Sequence, residues 1–305
     1  MVEHESKTEI NFSMQNLMNT STIWAIIAPI ELYSTLAKKS DYSGIEYFPF
    51  RVPHAQIRTG LLTKNALDSI TSAHQSFRTE KNLKDVRKHP NPTIAAKAFI
   101  TMPEKFGSLA DLQKLQRELG HKLPVVVYPP NEWMGESRPE IFKRLDNKLI
   151  QPAPELLGTW GVNTTDKFIN EVKKRGYKLC LDLFHIRRQV GQDFQSQFGK
   201  WQEVLPVLLP ETKEIHLAVG RNDFQGPFDS AQELKDIYFG ERKTDIVPML
   251  EAVRDCGWSG PIVTEIPANS AKNLISSSKI TTPSMLIAVH KQIVTNIKEI
   301  MSSRN

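Results

Sequence analysis

The chain has 305 residues, 40% of them hydrophobic, a net charge of +5 at neutral pH and a pI near 9.0. That length holds one large domain or two small ones, and the composition is ordinary for a globular protein. The basic excess is spread along the chain, which suits an anionic ligand and gives little support to a nucleic-acid surface.

Taken in chain order, the polar start (residues 1–10) reads as a tail, and one domain is expected over residues 11–305. The apolar stretch Ile23 to Ile30 is far too short to span a bilayer. It also lacks a basic leader and a small-residue cleavage site, so neither a membrane span nor a signal peptide is expected. Strands are expected at Asn11–Gln15, Gly44–Phe48, Thr71–Gln75, Leu123–Tyr128, Lys148–Ala153, Lys178–Phe184, Glu214–Val219 and Pro261–Ile266. Helices fall between them. Ser108 to Leu119 has a Ser at its start and Gly120 past its end. Thr165 to Arg175 is closed by Gly176, and Asp245 to Cys256 by Gly257. Pro283 to Met301 is the closing helix. Arg51 and Arg58 fall in the loop after the second strand and read as surface residues. Gly220 to Gly240 is polar and irregular, as an active-site loop would be. Only two cysteines occur, Cys180 in a core strand and Cys256 near a helix end, so no disulfide framework follows and a cytoplasmic location is the simplest.

Several strands are short and almost continuously apolar, as in a parallel sheet covered on both faces. Eight β-then-α units without a glycine-rich phosphate fingerprint favour a closed barrel, a single (β/α)8 TIM barrel, over a doubly wound sheet. Active sites in such barrels sit at the C-terminal ends of the strands. There the sequence places Glu46, His74, Tyr128, Gln151, Asp182, His185, His216 and Glu265. The segment Leu181-Asp182-Leu183-Phe184-His185 carries a carboxylate and an imidazole three residues apart, with Arg187 and Arg188 following. On a flat strand those two side chains point to opposite faces, so they converge only if the strand ends between them. Carboxylate and imidazole together suit Zn²⁺, Mn²⁺ or Fe²⁺; an amide oxygen tilts the set toward Mn²⁺ or Mg²⁺. Arg187 and Arg221 are candidates to clamp a carboxylate or phosphate, and either is equally readable as a solvated rim.

These residues resemble the xylose-isomerase-like TIM-barrel superfamily, which holds sugar-phosphate isomerases and epimerases, inosose dehydratases and endonuclease-IV-type AP endonucleases. The similarity runs from about Gly44 to the closing helix. Leu181-Asp182-Leu183-Phe184-His185 resembles the family's Asp-x-x-His, and Glu214-Ile215-His216 and Thr264-Glu265 follow in the right order. The resemblance implies a metal held by Asp182, His216 and Glu265, with Gln151 where the isomerase branch has its first Glu. A Gln can coordinate through its amide oxygen but cannot act as a base. Metal binding by a less anionic site therefore follows, and a two-base epimerisation does not. By the same resemblance Glu265 is the base and His185 orients a substrate oxygen; by their positions at strand ends and in the loops that follow, His74, Glu46, Tyr128, Arg187 and Arg221 are candidate substrate contacts.

The implied activity is a divalent-metal-dependent (Mn²⁺, Mg²⁺ or Zn²⁺) isomerase, epimerase or dehydratase acting on a small sugar, polyol or keto acid. Its partner is a small polyhydroxylated or anionic molecule, with neither nucleic acid nor membrane expected and a homo-oligomer left open. The alternatives are a non-catalytic barrel that binds a small ligand and an AP-endonuclease-like phosphodiesterase. The last is set back because a trinuclear zinc cluster lacks ligands here: Tyr128 stands at one His position and Gln151 at the Glu position.

Overall fold

A computed structural model describes residues 8–14, 28–48, 51–74, 108–119, 123–127, 148–150, 170, 172–174, 176, 178–183, 203, 205–218, 246–265 and 283–303. For some of these, His74 and Glu265 among them, it describes the backbone alone. Eight parallel strands close into a barrel in sequence order. They are β1 (Ile10–Ser13), β2 (Gly44–Tyr47), β3 (Ile70–His74), β4 (Val125–Val127), β5 (Lys148–Ile150), β6 (Lys178–Asp182), β7 (Thr212–Ala218) and β8 (Ile262–Glu265). Closure is made by β8 on β1, with Ile10, Asn11 and Phe12 opposite Ile262, Val263 and Thr264. Each strand therefore falls where the apolar runs predict it, with ends differing by at most three residues.

Around the barrel lie α1 (Ile30–Lys39), α2 (Arg51–Thr59), α3 (Lys64–Asp68), α4 (Ser108–Leu119), α5 (Ile246–Asp255) and α6 (Pro283–Ser302). Glu31 in the first turn of α1 and Lys38 and Lys39 in its last complement the helix dipole. The Thr63 hydroxyl caps α3 by accepting from the Ala66 N–H at 3.3 Å. Gly176 and Gly257 have φ of 65° and 78°, the left-handed conformation that ends helices and that the sequence assigned to them. Gly120 lies outside the described residues. One expectation is corrected: Arg51 and Arg58 lie in a helix, not a loop. Pro53 sits in the first turn of α2, where the missing N–H costs nothing because those groups have no intrahelical acceptor.

Strand alternation divides the buried residues into two shells. Ile10, Phe12, Ile45, Leu179, Leu181, Ile215, Leu217 and Ile262 join one continuous core with the inner faces of the helices. Their alternates form the barrel interior, where Val126 and Cys180 make a separate small apolar contact and most of the other described positions are polar.

The closing helix is tied to the barrel by a buried chain of hydrogen bonds. Thr264 Oγ1 lies 3.0 Å from the Tyr42 hydroxyl, which lies 2.8 Å from Nδ1 of His290. Phe12 meets His290 edge-on at 5.0 Å. At the surface, Lys291 of α6 reaches Asp41 Oδ2 at 3.1 Å. Burial pushes His290 down to about 3, so the folded state keeps it neutral with Nδ1 able to accept from Tyr42. The unfolded chain, with an ordinary histidine near 6.5, takes up a proton that the folded state refuses. Stability from this histidine is complete above about pH 6.5 and is lost as pH falls toward 3, by up to about 1.4 kcal/mol per pH unit. Between pH 7 and pH 5 the parent should lose about 2 kcal/mol in urea titrations. His290→Asn, which keeps an acceptor for Tyr42, should lose markedly less. An identical pH slope in the two proteins would assign the loss to other groups.

Candidate functional site

Two neighbouring strands, β6 and β7, build most of the described site, and β2 adds one residue. In β7, Ile215 and Leu217 face the helices, so Glu214 and His216 face the barrel interior. In β6 the same alternation turns Leu179 and Leu181 outward and Cys180 and Asp182 inward. The register pairs Cys180 with Glu214 and Asp182 with His216, which stacks the four side chains in two rows on adjacent strands. β6 ends at Asp182, as the convergence of Asp182 with His185 requires. Glu46 enters from β2, where its Cα partners are Ser13 of β1 and Ser72 of β3.

These groups meet at one imidazole. His216 Nε2 lies 3.0 Å from Glu214 Oε1 and 3.1 Å from Glu46 Oε1. All three side chains are at most 3% exposed. The Cys180 sulfur completes a group in which the donor atoms of Cys180, Glu214 and His216 lie within 4.8 Å of one another. Burial raises the Cys180 thiol well above its usual range, although His216 pulls the other way. Asp182, 2% exposed, sits one row above, at the C-terminal end of its strand.

An Nε2 carries at most one hydrogen, yet two carboxylate oxygens approach it. Such an arrangement can share one proton between two carboxylates. It also meets the first requirement for a divalent cation. Donors bound to one ion at about 2.1 Å and at right angles lie about 3.0 Å apart, which is the spacing found. Nitrogen, oxygen and sulfur donors on rigid strands therefore fit a metal ion on chemistry and on distance.

Glu265 is the last residue of β8, and its Cα partner is Ala218. His74 is the last residue of β3, beside Val126 of β4. Both backbones thus stand at the strand-end rim. Tyr128, Gln151, His185, Arg187 and Arg221 lie outside the described residues, as does the expected loop Gly220 to Gly240. Gln151 directly follows the last residue of β5. Glu214 and Cys180 had not been singled out. The i, i+2 spacing of Glu214 and His216 was the available signal, since any strand that turns one of them inward turns both.

Among solved structures, an L-ribulose 3-epimerase aligns with 98% of this chain and 99% of its own, at 14% identity and a TM-score of 0.52. A D-psicose 3-epimerase with D-tagatose from Clostridium cellulolyticum H10 aligns over 97% and 100%, at 11% identity and 0.43. A D-allulose 3-epimerase from Methylomonas sp. in complex with D-allulose aligns over 96% and 97%, at 12% identity and 0.41. No family profile and no curated protein matches the chain. The first alignment establishes a common fold over nearly the whole length: a single TIM barrel, the architecture that the resemblance to xylose-isomerase-like barrels implies. No helix among the described residues is long and apolar enough to cross a membrane.

Proposed function

We propose that the chain is a divalent-metal-dependent isomerase or epimerase of a small polyhydroxylated keto substrate, worked by the strand-end residues of β5 to β8. The observation that carries this reading is the in-register pair Asp182 and His216. They lie buried on adjacent strands, beside the strand that ends in Glu265. Asp182, His216 and Glu265 hold the ion, with Gln151 supplying an amide oxygen. A bound divalent ion polarises a carbonyl and its neighbouring hydroxyl, which lowers the pKa of the C–H bond between them. Glu265 removes that proton and returns it. His185 orients a substrate oxygen. Arg187 and Arg221 offer guanidinium forks to an anionic substituent, and His74 and Tyr128 contact substrate. Glu46 acts on the imidazole: its carboxylate at 3.1 Å holds the His216 ring in place. The cytoplasm is the compartment that this reading assumes, and the relatives' sugars suggest which compounds to screen.

Gln151 supports a second reading, a barrel that binds a small ligand without turning it over, because one proton-transfer group is missing. Two measurements separate the two. Metal binding to the native state alone stabilises by RT ln(1 + [L]/Kd), so a hundredfold excess over Kd should add about 2.7 kcal/mol. Mn²⁺, Mg²⁺ and Zn²⁺ should be scanned in thermal melts, with Asp182→Asn expected to remove most of the Mn²⁺ and Mg²⁺ shifts. A panel of ketoses should then be assayed for epimerisation. Metal-dependent turnover that Asp182→Asn abolishes supports the enzyme. Sugar binding without turnover at any metal loading favours the second reading. Melts insensitive to all three ions would sink the metal-dependent proposal.

A further inference from the structure

We propose that Cys180, Glu214 and His216, with Glu46 beside them, form a binding site for a thiophilic divalent transition-metal ion of the Zn²⁺ class, one row inside the barrel from the strand ends. This site differs in membership from the strand-end set, sharing only His216 with it. Its other members are a thiol and two glutamates that the proposed reaction does not use as ligands.

Geometry is the first argument. Three donor atoms of three types lie within 4.8 Å of one another, and the oxygens of Glu214 and Glu46 stand 3.0 and 3.1 Å from Nε2. A tetrahedral ion with bonds of about 2.0–2.3 Å to N, O and S needs neighbouring donors roughly 3.3–3.6 Å apart. The group reaches that spacing with movements of about an ångström or less for the oxygens and little more for the sulfur. Three of the four residues stand on two hydrogen-bonded neighbouring strands: Cys180 and Glu214 are Cα partners, and His216 follows Glu214 by two residues. Strands position donors more rigidly than loops do.

Donor chemistry is the second. One thiolate, one imidazole and one carboxylate, with a second carboxylate against the imidazole, are hard to satisfy with Mg²⁺, which takes oxygen ligands in octahedral array. They suit Zn²⁺ or Co²⁺. On binding, the S–H bond breaks, a sulfur–metal bond forms and the proton leaves to solvent, with no change of oxidation state. The ion's two positive charges then face the Cys180 thiolate and the neighbouring carboxyl groups in an interior where an unpaired carboxylate is costly.

The lining gives an independent sign. Ser72, the register partner of Glu46, and Asn11 are buried polar residues at interior positions. Ser72 Oγ and Asn11 Oδ1 have no hydrogen-bond partner among the described residues. Buried polar atoms are ordinarily paired, and an ion with its bound water is one of the ways they become so.

Cobalt(II) is the test probe, added to the full chain after chelator treatment. A thiolate ligand gives cobalt an intense charge-transfer absorption in the near ultraviolet that nitrogen and oxygen ligands do not. The expected result, in addition to any Co²⁺ held by the strand-end set, is one equivalent bound at this site with that band. It should vanish in Cys180→Ala and persist in Cys256→Ala, and Zn²⁺ should displace it. Glu214→Gln, which keeps the side-chain shape, should weaken Co²⁺ binding at least tenfold by calorimetry while circular dichroism stays that of the parent. That variant decides the matter if Cys180→Ala does not fold. Co²⁺ bound without the band, a band that survives Cys180→Ala, parent-like affinity in Glu214→Gln, or no binding of Co²⁺ and Zn²⁺ would each overturn the proposal. Binding without the band that Asp182→Asn abolishes would place the ion in the strand-end set instead, leaving the proposed reaction standing and this site refuted.

Discussion

Replacing His216 by Ala is expected to cost about 3–5 kcal/mol of folding stability, measured by urea unfolding of the metal-free protein at pH 7. Truncating a large buried side chain leaves a cavity and strands its buried hydrogen-bond partners, and together these give a penalty of that size. Here Glu214 and Glu46 approach Nε2 at 3.0 and 3.1 Å from two strands, in a setting at most 3% exposed. Without the ring, the Glu214 and Glu46 carboxyl groups would lose their shared partner in the barrel interior. Loss of packing adds to the electrostatic cost, so a second variant separates the two. Glu46→Gln in the His216→Ala background should recover part of the loss, and the double-mutant cycle should give a coupling of about 0.5–3 kcal/mol. A single-variant loss under about 1 kcal/mol, or strict additivity, would mean that the three groups do not act as a unit.

The second large effect concerns Glu265. As the proposed base it should account for about 10²–10⁴-fold in rate, so Glu265→Gln should lower kcat for ketose epimerisation by that factor. The amide retains an oxygen that can ligate, which keeps metal affinity closer to the parent than turnover. Exchange of the substrate C–H for deuterium, followed by NMR, reads the proton abstraction directly. Loss of exchange with sugar still bound supports the assignment. Exchange at the parental rate in Glu265→Gln would remove Glu265 from the proton path.

All eight strands were legible because their cues are local: short β-branched and apolar runs, bounded by turn residues. The helices before β3 were not. Pro29 precedes α1 without any side-chain cap, so the usual start signal is missing. α2 carries Pro53 in its first turn, a place compatible with a helix but no signal of one in the interior. At the site, reading strand ends found Asp182 and His216. It passed over Glu214 and Cys180 because they lie one row deeper, where apolar residues usually fill a barrel of this kind. Only the register of β6 against β7 and the arrival of Glu46 from β2 show that the row is polar. Such contacts join residues distant in sequence and have no local signature.

The seam between β1 and β8 has a consequence for biosynthesis. Ile10 pairs with Ile262, so the first strand made waits for the last. At roughly 5–20 residues per second, the interval between them is on the order of 10 to 50 seconds. Throughout it β1 lacks the β8 partner that closes the barrel. Unpaired margins recruit other chains. The buried polar residues of β1, Asn11 and Ser13, make that waiting strand less sticky than its neighbour Phe12 alone would. Yield during rapid expression should therefore depend on holding this margin apart until Ile262 emerges.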